Sequence, residues 1–216
     1  MSFSILNHAQ GSPEWFAARA GRVTGSKANC VLAGDKTATR ADYRLQLALE
    51  RITGTPEVSD YTNGAMQHGT ETEPLARMAL EAARGIMVRE TGFCAHDSLM
   101  IGTSLDGDVD DFAAIVEIKC PKSTTHVGYL DAGKLPAAYQ PQIMHSLFVT
   151  GAKDAIFCSF DNRLPTGLEL FVVDVKASDL PLEEYETALH KFLKEVADLE
   201  FKLLEMQHQS QLKKAA

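Results

Sequence analysis

Apolar residues recur at intervals of three and four through Tyr185, Leu189, Phe192, Leu193, Val196, Leu199 and Leu203. That is the period of a helix with one buried face, and it predicts one long amphipathic helix from about Leu182 to Gln209. Shorter helices are expected earlier. Ser12-Pro13-Glu14-Trp15 reads as a capped start with proline in the first turn, and Trp15 as a packing anchor. Lys27 to Leu32 predicts a second short helix, following Thr24-Gly25-Ser26 and ending near Gly34. Ala41 to Ile52 is helical in period and is stopped by Thr53-Gly54-Thr55-Pro56; residues 57–67 read as loop. From about Gly69 to Arg84 the spacing predicts a longer helix with Leu75, Met78, Ala79 and Ala82 on one face and Gly85 closing it.

After Gly85 the pattern changes to short β-type runs: Ile86-Met87-Val88, Phe93-Cys94-Ala95, Met100-Ile101-Gly102 and Ala114 to Lys119. Gly92, His96-Asp97-Ser98 and the acidic stretch Asp106 to Asp111 punctuate them. A helix over roughly Pro136 to Val149 follows. Ala155 to Phe160 and Leu168 to Val175 are then expected strands, joined by the turn-rich 161–167. Helices, sheet, helix, sheet and a final helix make a mixed α/β fold, read as one domain over 1–216 with a central mixed β-sheet flanked by helices.

Composition narrows this little. The 216 residues are 45% hydrophobic and 23% charged, ordinary for a chain with a real core. No apolar run approaches the roughly 20 residues of a membrane span. The opening Met1 to His8 lacks a basic segment followed by a long apolar one, so no secretory signal is expected and the reading is cytoplasmic. Cys30, Cys94, Cys120 and Cys158 are scattered without a C-x-x-C pair, which favours buried free thiols over structural zinc. A net charge of −8 taken alone argues against a nucleic-acid partner. Metal-holding carboxylates contribute to such a charge, however, and bound ions offset it locally.

Chemistry concentrates at Ser104-Leu105-Asp106-Gly107 and, eleven positions after Asp106, Glu117-Ile118-Lys119. Residues two apart on a strand share a face, so Glu117 and Lys119 project together while Ile118 faces the core. An acid and an amine entering a core are costly unless paired or used. If the preceding strand ends at Asp106 and a hairpin follows, Asp106 approaches Glu117. Two carboxylates and a strand carbonyl then offer hard oxygen ligands suited to Mg²⁺ or Mn²⁺. Lys119 would stand beside a metal-bound water. The bland alternative is a solvated Glu–Lys pair on a strand. An EF-hand loop is a decoy: Asp106, Asp108, Asp110 and Glu117 fit positions one, three, five and twelve, but Asp111 stands where the sharp turn requires glycine, and the flanks read as strands.

The D-x10-E-x-K spacing is that of the restriction-endonuclease-like nuclease superfamily. Neighbouring segments sharpen the resemblance. His68-Gly69-Thr70-Glu71-Thr72-Glu73-Pro74-Leu75-Ala76 resembles the G-x-x-x-E-x-x-A helix of lambda-type (YqaJ-like) phage recombination exonucleases. Trp15 to Arg19 with Val23-Thr24-Gly25-Ser26 is similar to that family's W-x-x-x-R…T-x-S segment, and Glu117 to Pro121 to its E-x-K-C-P. Tyr139 to Thr150 is similar to its Y-x-x-Q-x-x-x-S-x-x-V-T helix. The motifs occur in family order.

The resemblance implies a restriction-endonuclease-like core and a two-metal Mg²⁺ site for which Mn²⁺ substitutes. Asp106, Glu117 and the Ile118 carbonyl would hold the first ion, and Glu73 would help hold the second. Lys119 and Gln142 would position water, and Arg19 and Ser26 would grip a 5′-phosphate. It implies 5′-to-3′ digestion of double-stranded DNA ends to 5′-mononucleotides, a homotrimeric ring and a single-strand annealing partner. Each position has a plainer reading beside it. Glu73 would be a first-turn acid on a helix dipole, Arg19 a surface ion-pair partner, Ser26 an N-cap and Gln142 an ordinary helix residue. Glu71 competes with Glu73, and His68, His126 and His145 read as core or surface residues. Leu105 replaces a common proline, and Pro141 must lie in the first turn of its helix or kink it. Rival functions are a structure-specific or RNA-acting endonuclease and a non-catalytic DNA-end-binding protein.

Overall fold

A computed structural model describes residues 2–57 and 64–215, without the side chains of 64–66 and 215. Within them, eight strands form two four-stranded sheets. In the first, β1 (Phe3–Leu6), β3 (Phe93–His96), β4 (Ile101–Ser104) and β2 (Val23–Thr24) lie in that order; β2 pairs with β4 in parallel and the other pairings are antiparallel. The second runs β5 (Gly107–Val109), β6 (Ala114–Lys119), β7 (Asp154–Phe160), β8 (Leu170–Lys176), with β6 and β7 parallel between antiparallel edges. The expected central mixed sheet is therefore split in two ladders, each mixed, and the chain passes from one to the other through Leu105 and Asp106.

Local chemistry sets the helix ends. Helix α1 (Pro13–Arg19) starts where the Ser12 side chain accepts a hydrogen bond from the Trp15 amide, with proline in the first turn. A 3-10 turn at Gly25–Lys27 leads into α2 (Ala28–Leu32). Helix α3 (Ala38–Thr53) ends on Gly54, whose φ of 65° suits a residue without Cβ. Helix α4 (Gly64–Arg84) begins earlier than the sequence suggests, so 64–67 are helix and not loop; residues 58–63 of that expected loop lie outside the described residues. Helix α5 (Ser123–Ala132) was not foreseen, and α6 (Gln140–Thr150) starts at Gln140 because residues 136–139 form a turn. Helix α7 (Leu182–Ala215) runs 34 residues. Among the described residues no helix is long and apolar enough to cross a membrane.

Two expectations fail, the first because packing and not periodicity chooses the buried face. On α4, Ala76 and Leu80 are buried against β6 and its neighbours, while Leu75 is 46% and Met78 64% exposed. Ile86 to Val88 forms no strand; only Arg89 bridges to Asp108. There Arg89 grips the fully buried Asp108 at 2.9 and 3.0 Å, and Asp108 accepts the Phe112 amide. This clamp holds the β5–β6 turn, in which Asp110, Asp111 and Phe112 all have positive φ. The acidic run is thus a hairpin brace and not a calcium loop. All four cysteines are free, three buried and Cys120 partly exposed.

Helix α6 is buried all round from Ile143 to Thr150, as a helix between layers must be. One polar member, His145, has both nitrogens satisfied: Nε2 donates to the Gly102 carbonyl at 3.0 Å and Nδ1 accepts from Tyr185 at 2.6 Å. Burial pulls this imidazole down to about 4. The folded protein keeps it neutral where the unfolded chain, near 6.5, takes a proton. The stability it contributes is whole above about 6.5 and is lost as pH falls from there through about 4, a loss of about 3 kcal/mol. Urea unfolding at pH 7.5 and 4 should show that excess loss in the unchanged protein relative to His145→Gln. Equal losses would remove His145 from the acid sensitivity.

Candidate active site

Strand β6 carries Glu117 and Lys119 on one face, and the bend between β4 and β5 delivers Asp106 to it. The strand before Asp106 ends at Ser104, and the hairpin expected at Asp106 is instead β5–β6, with Gly107 opposite Val116. The effect is the one that spacing requires. Asp106 Oδ2 accepts the Ile118 amide at 2.6 Å and lies 3.8 Å from Lys119 Nζ, while Lys119 Nζ contacts Glu117 directly. The β5 ladder stops at Val116. Since a strand residue turns its amide and carbonyl to the same edge, the Ile118 carbonyl faces the Asp106 side.

Glu117 is 1% exposed. Burial pushes its carboxyl above the usual range, with Lys119 opposing and Asp106 reinforcing the shift. Burial disfavours the Lys119 ammonium, but Glu117 and Asp106 outweigh it and hold the group above the ordinary lysine range. Glu73 reaches this cluster from α4. Burial and Asp106 raise its carboxyl to about 7, against Arg77 and Lys119, and Arg77 pairs with it at 3.4 Å. Glu71 is exposed and bonded to Gln67, so Glu73 is the acid facing the cluster. Because α4 starts at Gly64, Glu73 sits well inside the helix, and the first-turn dipole reading fails.

Pro141 falls in the first turn of α6 and leaves the helix intact, with Gln142 half-buried beside it. A Cβ on Gly25 would stand 3.1 Å from Thr103 Oγ1 and 3.4 Å from Gln142 Cγ. The missing side chain at Gly25 lets the segment bearing Ser26 close against Gln142. The same segment contributes Ser26 and Lys27 to a cleft of about 170 Å³ whose lining also includes Trp15 and Arg19. Arg19 stacks 3.9 Å over Trp15 and donates to Ser104 Oγ at 2.9 Å, and Trp15 Nε1 donates to the same oxygen. Burial lowers the Arg19 guanidinium to about 10, and among the described residues no carboxylate pairs with it. The surface ion-pair reading therefore fails. Ser26 lies inside the 3-10 turn and does not cap α2, whose N-cap is Lys27. His126 is core, bonded to Ser159 and the Leu168 carbonyl.

The donor set suits a hard divalent ion: two carboxylates and a carbonyl, with Glu117 Oε1 buried against the Lys119 ammonium, a cation standing where an ion would sit. Among the described residues no three acidic, His or Cys side chains stand close enough to grip an ion as they lie; the Lys119 ammonium lies between the two carboxylates.

A model of the YqaJ-like viral recombinase domain matches residues 14–153, a span from Glu14 on α1 to Lys153 just ahead of β7. The chain belongs to that family. It is also similar to the crystal structure of an alkaline exonuclease, LHK-Exo, from Laribacter hongkongensis, with 36% identity and a TM-score of 0.83 over 92% of this chain and 99% of that one. The same figures hold for that protein in complex with dAMP. A phage related exonuclease from Haemophilus somnus 129PT shares the fold at 14% identity and a TM-score of 0.64, over 86% of this chain and 96% of the other. A comparison with functionally curated proteins found no match. The signals missed in the sequence were positional: Ser104 stands two residues before Asp106, and its bonds to Trp15 and Arg19 tie the cleft to the acidic cluster.

Proposed function

We propose that this YqaJ-family chain is a metal-dependent exonuclease. It digests double-stranded DNA ends 5′-to-3′, releases 5′-mononucleotides and leaves 3′ single-stranded overhangs for recombination by strand annealing. One observation carries the reading. A cleft holding the Arg19 cation, which no carboxylate pairs with among the described residues, lies one hydrogen bond, through Ser104, from the strand bend that presents Asp106 to Glu117 and Lys119. The similar Laribacter protein is an alkaline exonuclease solved with dAMP, a mononucleotide of the kind such a reaction releases.

Mg²⁺, with Mn²⁺ as substitute, would be held as two ions by Asp106, Glu117, the Ile118 carbonyl and Glu73, supplying water activation and charge stabilisation at phosphate. The chain's own groups do the rest. Arg19 and Ser26 take the 5′-phosphate, and a planar guanidinium suits two phosphate oxygens at once. This contact registers the strand so that the scissile phosphate meets Lys119. Lys119 and Gln142 orient the water, and the ammonium counters charge growing on the phosphate. Three copies in a ring would line a channel with basic residues while the exterior stays acidic, in keeping with the net charge of −8. A single-strand annealing protein would take the overhang.

Labelling each end of a linear duplex tests the polarity: the 5′ label should appear first as mononucleotide. A 3′ label appearing first, or rapid cleavage of a closed circle with linear DNA no better, would replace this reading with an endonuclease or a nuclease of opposite polarity.

A further inference from the structure

Lysine has a long flexible stem, and one charged neighbour does not fix where its ammonium points. Glu117 touches the Lys119 ammonium from one side and Asp106 stands 3.8 Å away on another. A third wall is aromatic: Lys119 Nζ lies over the Tyr139 ring, 5.6 Å from its centroid, within the range at which a ring face attracts a cation.

That ring is itself immobilised. It stacks on Phe157 at 5.3 Å with planes 28° apart, and Tyr129 meets it edge-on at 6.2 Å. The two tyrosine hydroxyls are hydrogen bonded at 3.3 Å. Phe157 is the β7 partner of Glu117 in the β6–β7 register. The strand pairing that sets Glu117 thus also sets the platform under Tyr139. Tyr139 also occupies the N-cap of α6, a position favouring short polar side chains that accept an amide hydrogen bond, and it makes no such bond. Capping does not account for the residue; its ring is spent on Phe157 and Lys119.

We propose that Tyr139 is a positioning residue that acts through Lys119, its ring face holding the ammonium beside Asp106 and Glu117 where the reaction needs it. The proposal rests on the nuclease reading for its kinetic consequence, and on the ring geometry for its structural one.

Replacing the ring with an aliphatic group, Tyr139→Leu, should lower kcat about tenfold with KM for a 5′-phosphorylated duplex unchanged. Tyr139→Phe should stay within about twofold, since the ring face remains. Placing one and then three fluorines on the phenylalanine ring of Tyr139→Phe keeps its shape while weakening its negative face, and kcat should fall in step. A second readout needs neither metal nor activity. The Lys119 ε-methylene protons should show an upfield ring-current shift by NMR in the metal-free protein, absent in Tyr139→Leu. A flat fluorine series, a Tyr139→Phe loss as large as that of Tyr139→Leu, or unshifted Lys119 protons would overturn the proposal. An unchanged protein that digests no DNA would instead sink the nuclease reading, and the ring-current shift would still decide whether Tyr139 holds Lys119.

Discussion

Lys119→Ala is expected to release nucleotides from 5′-phosphorylated linear duplex about 10³-fold more slowly than the unchanged protein, the usual range for losing a positioned proton-handling or charge-stabilising group. The loss should appear in kcat, with end binding close to unchanged, because the ammonium lies at the acidic cluster and not among the residues lining the Arg19 cleft. The fold should survive. Removing one member of a buried pair is ordinarily severe, because a charge is stranded. Here the stranded group is Glu117, whose carboxyl burial already biases towards the proton-bound form, so it can neutralise in place of unfolding the chain. Acid-soluble release and an unfolding curve on the same preparation separate the two effects. An unchanged release rate would take Lys119 out of the mechanism.

How much of this was legible in the sequence follows from which forces are local. The long α7, the capped α1 and the strands β3, β4, β6, β7 and β8 were readable because periodicity, caps and β-branched runs act over a few residues. The alternation Glu117-Ile118-Lys119 gave a shared face for the acid and the amine, and the structure puts them in contact. What escaped was tertiary. Strands β2 and β5, of two and three residues, are too short to carry a pattern of their own, and β1 takes its place by pairing with β3, 87 or more residues away along the chain. The buried face of α4 was legible only in part: Ala79 packs against the cluster as expected, but Leu75 and Met78 share the period of Ala76 and Leu80 without their position against β6. Whether Glu71 or Glu73 faces the site was likewise undecidable from spacing within one helix. Family resemblance favoured Glu73, and the packing of α4 turns that residue towards Asp106.

Arg19→Ala should erase the preference for phosphorylated over unphosphorylated 5′ ends, lowering kcat/KM on phosphorylated duplex by about 10²-fold, as expected for a charge-assisted contact of about 2–3 kcal/mol. The physical basis is the state of the cation. A guanidinium on the face of Trp15, bonded to a neutral hydroxyl and lowered to about 10 by burial, has given up hydration without a carboxylate in ion-pair contact among the described residues; Glu50 offsets that burial only in part. A phosphate entering the cleft completes that pairing, and an end lacking phosphate leaves it incomplete. Arg19→Lys should recover only part of the preference, because a point charge lacks the planar fork and stacks less well on indole. Digestion of unphosphorylated ends should change little in either variant, since Ser104 retains its bond from Trp15 and the bend at Asp106 keeps its support. The decisive measurement is kcat/KM on paired substrates differing only in the 5′ phosphate. If Arg19→Ala slows both ends equally, the residue serves the fold around Ser104 and the phosphate site must be sought elsewhere in the cleft.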